Sequence, residues 1–277
     1  MRKALKVALE KEQIIVKNKY DIIDAYEIHL YGDERDNFDL YPLLNKPVIT
    51  VHYPIKRCDI VDIAKERNTD YCRKVLDFCK EINAGLVVHA EGHSFDVFNN
   101  PDVEDFCKII KEKEIILHVE NCYLHIGAKE GLNIIKYLKN RIGDKYVYPL
   151  LDTCHLMMSS MSFKYEEESF FQTMDNYKSE RFIMHLNDSI GSGEKETGGI
   201  HGTNFSRNLY LLNNILWKIY NYEKEGYDVD CVLEINEEDY INVPDAIELA
   251  KNIDYFWNDY ILQDQHKDYK KKTKPTI

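Results

Sequence analysis

Leu150–Leu156 reads LLDTCHL. Its left half is apolar; its right half offers Asp152 and His155, a carboxylate and an imidazole three residues apart. Taken as a buried strand running into a polar loop, the stretch delivers both side chains to the rim of a parallel sheet. Carboxyl-terminal strand rims are where active sites sit in barrels of alternating strands and helices. Alone, the heptapeptide reads equally well as a strand ending at a helix cap, with Asp152 or Thr153 capping and His155 packed by accident. Repetition of the same design along the chain decides between them.

Working outward, EIILHVENC (114–122) is a strand ending in Glu120, and GLVVHAEGH (85–93) is an apolar run ending in His89 before a glycine turn. KPVITVHYP (46–54) is β-branched and ends in His52 before Pro54 stops it. AYEIHLY (25–31) puts Glu27 and His29 on one face, and ALKVAL (4–9) is a short first strand. Downstream, RFIMHLNDS (181–189) carries His185, and VDCVLEINEE (229–238) carries Glu234. Helical patterns fill the intervals: 11–23, a long amphipathic stretch from Asp59 to Asn83, 102–111, 129–141, a loop-containing region over 160–180, 206–224, and Val243–Leu262. The glycine-rich loop GSGEKETGGIHG (191–202) carries His201.

Most strand ends are a little over thirty residues apart, the length of one strand–helix unit. Eight such strands predict a single (β/α)8 TIM barrel, class α/β, over residues 1–265. A doubly wound open sheet is the alternative, but no glycine fingerprint follows the first strand. No linker-like tract divides the chain, and 266–277 reads as a basic, solvated tail.

The formal net charge is −12, so nothing global resembles the basic footprint of a protein that grips nucleic acid through its phosphates. A polyanion would have to be drawn by a local field. Seven cysteines without CxxC spacing suit thiols in a reducing compartment better than a disulfide framework. The sequence shows neither a membrane-length apolar run nor, in MRKALKVALEKEQ, the apolar core of a signal peptide. A cytoplasmic monomer without membrane contact is expected.

A barrel would bring His52, His89, Glu120, Asp152, His155, His185, His201 and Glu234 to one mouth. Crowded carboxylates without metal are expected to raise one another's pKa values, and divalent ions would remove that cost. Mixed imidazole and carboxylate donors suit zinc, iron or manganese. Eight groups exceed one tetrahedral ion and suit two or three.

The motifs VHYP, LVVHAEGH, VEN, LLDTCH, MHLNDS, GGIHG and LEIN, over about 46–236, resemble the xylose-isomerase-like barrels. Within that superfamily the chain is similar to the endonuclease IV family of apurinic/apyrimidinic endonucleases. The resemblance implies a metal-dependent phosphodiesterase that cleaves DNA 5′ to abasic sites with two or three zinc ions. His52, His89 and Glu120 would hold one ion, Glu120 with Asp152, His185 and Glu234 a second, and His155 with His201 a third. Glu120 and Glu234 are the implied catalytic carboxylates, Asp188 and His93 would stand behind the ligands, and Lys56 and Arg57 would touch phosphate.

Three departures matter. Gly199 stands where the family places an aspartate ligand, with Glu194 or Glu196 as substitutes, the loop that helps open DNA is not recognisable, and the family's glycine- and histidine-containing first strand is missing. Two other functions therefore remain open: a sugar isomerase or epimerase using the Glu120, Asp152, His185, Glu234 quartet around one manganese-like ion on a sugar or phosphorylated substrate, or a multinuclear non-haem iron oxidase.

Overall fold

The strand from which the reading began runs from Val147 to Asp152. Its alternation sends Leu150 into the barrel interior, while Val147 and Leu151 join the cluster between barrel and helices. This is the period-two geometry of a strand buried on both faces. The computed structural model describes residues 1–90, 100–122, 128–158, 167–190 and 200–261. His93, Glu194, Glu196, Gly199 and the tail from 266 lie outside them, as does the side chain of His201.

In chain order the strands are β1 (Arg2–Val7), β2 (Ala25–His29), β3 (Val48–His52), β4 (Gly85–His89), β5 (Leu117–Glu120), β6 (Val147–Asp152), β7 (Arg181–His185), β8 (Asp188–Ile190), β9 (Ile200–Thr203) and β10 (Asp228–Leu233). Strands β1 to β7 and β10 form a closed parallel barrel in the order β1-β10-β7-β6-β5-β4-β3-β2. The α/β barrel is therefore present as expected. The glycine-rich region adds a feature the sequence reading lacked: β8 and β9 pair antiparallel as a small hairpin sheet outside the barrel.

Most crossovers are helices: α1 (Lys11–Lys17), α2 (Ile60–Glu66), α3 (Asp70–Glu81), α4 (Pro101–Lys113), α5 (Ala128–Ile142), α6 (Thr153–Met158), α7 (Glu167–Tyr177), α8 (Leu209–Lys224) and α9 (Pro244–Phe256). The second crossover carries only a 3₁₀ turn, Phe38–Leu43. The single helix expected over 59–83 is two. Asp59 caps α2 by accepting from Val61 N, and Thr69 caps α3 by accepting from Cys72 N at 3.1 Å. Each such cap contributes about 1 kcal/mol, enough to start a new helix within an amphipathic run. Pro101 behind the Asn100 cap opens α4 in the same way.

Inside the barrel a thin apolar layer of Ala4, Ala25, Val87, Leu150, Ile183 and Val232 separates two polar ends. All seven cysteines are buried and none is bridged. No helix among the described residues is long and apolar enough to cross a membrane. At the amino-terminal end the buried His118 ring closes the barrel over Gly85. A Cβ added at Gly85 would lie 2.4 Å from His118 Cδ2, inside a ring stacked on Tyr148. Gly85→Ala should therefore cost about 2 kcal/mol through overpacking. Urea denaturation measures this, and an unchanged midpoint would show that the ring can retreat.

Candidate metal centre

Strand register builds the site. In the parallel ladder His29 is the partner of His52, His89 of Glu120, and Asp152 of His185. Register partners on neighbouring strands lie about 4.8 Å apart, so these side chains emerge next to one another at the rim. Glu234 continues β10 two residues beyond Val232, the partner of His185, and faces the same way.

The ligating atoms fall into two groups sharing Glu120: His52, His89 and Glu120, and Glu120, Asp152, His185 and Glu234. In the first, His52 Nε2 is 3.2 Å from His89 Nε2 and 3.4 Å from Glu120 Oε2, which is 3.1 Å from His89 Nε2. Donors about 2.1 Å from a tetrahedral ion are about 3.4 Å apart, so the spacing fits one. In the second, His185 Nδ1 is 2.6 Å from Glu234 Oε2, 3.4 Å from Glu120 Oε2 and 3.9 Å from Asp152 Oδ2. Glu120 Oε2 and His185 Nδ1 are fully buried, and neither has a hydrogen bond of good geometry within the protein. Two unsatisfied buried donor atoms facing each other fit a cation between them.

The surrounding residues set tautomers. The Nδ1–H of His52 donates to Tyr53 O at 2.6 Å, leaving Nε2 to ligate. His185 Nε2 faces the Glu27 carboxylate at 3.1 Å, which leaves Nδ1 as its ligating nitrogen. Glu27 also accepts from Thr50 Oγ1 at 2.6 Å and meets His29 Nε2 at 2.7 Å. Carboxylate–histidine pairs of this kind hold a metal-binding ring in orientation. Asp152 does two jobs: Oδ1 accepts from His155 N at the start of α6, and Oδ2 accepts from Asn187 Nδ2 at 2.9 Å beside the donor quartet. The helix-cap reading of LLDTCHL and the ligand reading are thus both present, on different oxygens.

The electrostatics correct one expectation. On balance Glu120 and Glu234 are lowered, not raised. Burial pushes Glu120 up, but His89 and His185 outweigh it and hold Glu120 well below the ordinary carboxylate range. Glu234 is likewise lowered against burial by His185 and Lys6. His89 and His185 are raised well above the usual imidazole value despite burial; Cys122 and Glu120 raise the first, Glu27 and Glu234 the second. Imidazolium protons supply the positive charge in the metal-free cluster, and a cation competes with them for the same lone pairs.

The sequence-derived residues divide as follows. His52, His89, Glu120, Asp152, His185 and Glu234 come together. His155 joins them, with Nδ1 2.9 Å from Glu120 Oε1 and 2.8 Å from Asn121 O. Burial lowers its pKa, but Asp152 and Glu120 raise it to about 9. Asp188 is not behind the ligands: it accepts from Ser189 N and lines a separate cavity with Asn204 and Asn208. Its neighbour Asn187 takes that place, bridging Asp152 Oδ2 and Glu234 O. Arg57 does not join the cluster: its guanidinium donates to Gly32 O and pairs with Glu66. Lys56 lines a cavity at the rim. The sequence reading missed Glu27, His29, Asn121 and Asn187. Only the one-face placement of Glu27 and His29 signalled any of them.

Searches of sequence families and of curated proteins find no match to the chain. Solved structures do match. A 3-keto-D-glucoside 4-epimerase from E. coli superposes with a TM-score of 0.54 at 14% identity, over 93% of this chain and 99% of that one. A putative xylose isomerase from Rhodospirillum rubrum gives 0.59 at 10% identity, over 92% and 98%. The fold is the xylose-isomerase-like TIM barrel. Another barrel of this fold, the IolI protein solved with a zinc atom, gives 0.55 at 12% identity, over 94% and 97%. The resemblance drawn from the motifs thus holds for the xylose-isomerase-like barrel as a fold. Its narrower endonuclease IV reading finds no counterpart among these matches, which include an epimerase and a putative isomerase.

Proposed function

We propose that the protein is a metal-dependent isomerase or epimerase acting on a small sugar-like substrate. One observation carries this reading: Glu120, Asp152, His185 and Glu234 form a complete buried donor quartet. Zinc or manganese suits its donors. A bound divalent ion supplies Lewis-acid polarisation of a substrate carbonyl.

The residues of the chain supply the proton transfers. The Glu234 carboxylate takes the proton from the carbon beside the carbonyl, and the bonding pair moves toward the carbonyl oxygen. In isomerisation Glu234 hands that same proton on to the neighbouring carbon. In epimerisation Glu120, three strands away around the barrel, relays a proton from the His155 imidazolium, 2.9 Å from its Oε1, to the opposite face of the same carbon. Glu27 keeps the His185 ring aimed at the quartet, and Asn187 holds Asp152. Burial of these carboxylates lowers the dielectric around them and strengthens their electrostatic action on the reacting carbon.

The keto-sugar epimerase among the matches supports this class of chemistry by its name. A second reading, phosphodiester hydrolysis beside abasic sites, is favoured by the trio of His52, His89 and Glu120, since a dinuclear hydrolytic centre needs a second set of donors. The net charge of −12 weighs against a DNA substrate.

Deuterium uptake separates the two. Metal-loaded protein in D2O should exchange hydrogen at the carbon beside the carbonyl of ketopentoses or ketohexoses, followed by proton NMR. Nicking of an abasic duplex with no exchange in any ketose would replace this reading with the second.

A further inference from the structure

A cavity of about 430 Å³ opens at the carboxyl-terminal rim over β1, β2 and β10. That volume is in the range of small-molecule sites. It adjoins the donor quartet: Lys6 Nζ lies 3.8 Å and His29 Nε2 3.9 Å from Glu234 Oε1, and both residues line the cavity. Its charge is opposite to that of the whole chain. Against a net charge of −12, the lining carries Lys6, Lys17, Arg35 and Lys56 with Asp33 as its acid. Asp33 and Arg35 neutralise each other in a two-pronged pair at 2.8 and 2.6 Å.

The remaining cations are lysines. Lys17 is buried, its ammonium donating to Lys6 O at 2.9 Å and Gln13 Oε1 at 2.8 Å. Burial and the like charge of Lys6 push its pKa down to about 7. Lys6, with a side chain only 13% exposed, extends over the Tyr240 ring at 5.7 Å. Glu234 is the nearest carboxylate to Lys6, and in the reaction proposed above that group is engaged in proton transfer.

We infer that the substrate carries an anionic group, a phosphate or a carboxylate, seated in this cavity against Lys6 and Lys56 while its carbonyl end reaches Glu234. The inference rests on the isomerase or epimerase reading and specifies its substrate class. An anion here pairs with the Lys6 ammonium while Glu234, 3.8 Å from it, is engaged in proton transfer, in a partly buried site where charge-assisted hydrogen bonds are strong. A neutral sugar would leave the ammonium of Lys6 to compete for Glu234.

Two measurements test it. Titration calorimetry of the metal-loaded protein with inorganic phosphate should show binding that weakens about tenfold or more in Lys6→Met and less in Lys56→Met. Phosphate affinity unchanged in both variants would place the anion elsewhere and overturn the inference. In the exchange assay, a ketose phosphate or a keto sugar acid should be turned over at least about tenfold faster, as kcat/KM, than the neutral ketose, and Lys6→Met should close that gap. Preference for the phosphate or for the acid identifies the group. Equal turnover of neutral and anionic ketoses would refute the inference while leaving the reaction class standing. Lysine-dependent phosphate binding without exchange of any ketose would keep the anion site and refute the reaction class. Thermal melting and metal content of Lys6→Met check its fold, and Lys56→Met gives an independent readout if that variant does not fold.

Discussion

Glu120→Gln is expected to lower exchange activity by about a thousandfold or more and to leave less than half of the wild-type metal content. Glu120 belongs to both donor groups, so one amide weakens two sites. Its oxygens lie within 3.4 Å of His52, His89, His155 and His185. Removing a buried partner charge ordinarily costs about 3–5 kcal/mol, because the other charge is left unpaired. Here the partners are His89, His155 and His185, whose hold on their protons comes in part from Glu120, so they release protons more readily once it is gone. The variant should therefore keep a native circular-dichroism spectrum while losing metal and activity. Elemental analysis and the deuterium-exchange rate are the readouts. Full metal content with retained exchange would remove Glu120 from the centre.

The second large effect is on stability in acid and belongs to the opposite end of the barrel. Burial, reinforced by Arg181, pushes His118 down to about 3. Its Nδ1 is buried without a hydrogen-bond partner, as a neutral ring kept out of water would be. The unfolded chain has the ordinary value of about 6.5. Above that pH the group contributes nothing to stability. Below it the unfolded state takes up a proton that the folded state refuses, so stability is lost progressively down to the folded value. At pH 4.5 the loss is about 3 kcal/mol, from 1.36 kcal/mol for each pKa unit. His118→Leu should shed that share. Urea unfolding at pH 7.5 and pH 4.5 should show a pH-dependent loss about 3 kcal/mol smaller in the variant than in the wild type. Carboxylates of the metal centre titrate in both proteins and cancel in the difference. An identical loss in both would mean that the folded barrel tolerates a charged ring at this position.

The motifs named rim residues that the fold brings together, because each lies at the end of an apolar run, a local feature of the chain. His52, His89, Glu120, Asp152, His185 and Glu234 could be selected without knowing any distance between them. The two helices over 60–81 were also within reach, since Thr69 follows Asn68 and precedes Asp70 in the pattern of a cap. Arg57, in a 3₁₀ turn, and Asp188, at the start of β8, both lie past the ends of barrel strands, where the barrel's own alternation no longer sets which way a side chain points.

Alternation of apolar runs with helical stretches determined the barrel, because strands buried on both faces and amphipathic helices bury their surface well in few other closed arrangements. Ligand candidacy came with it, strand by strand. Only the tertiary structure decided how the ligands act on one another. Register set His89 beside Glu120 and Asp152 beside His185, and closure of β1 against β2 and β10 brought Glu27, His29 and Lys6 into the same mouth. The ionisation of the centre follows from those distances. Carboxylates that would repel in isolation are held charged by imidazolium neighbours more than thirty residues away in the chain.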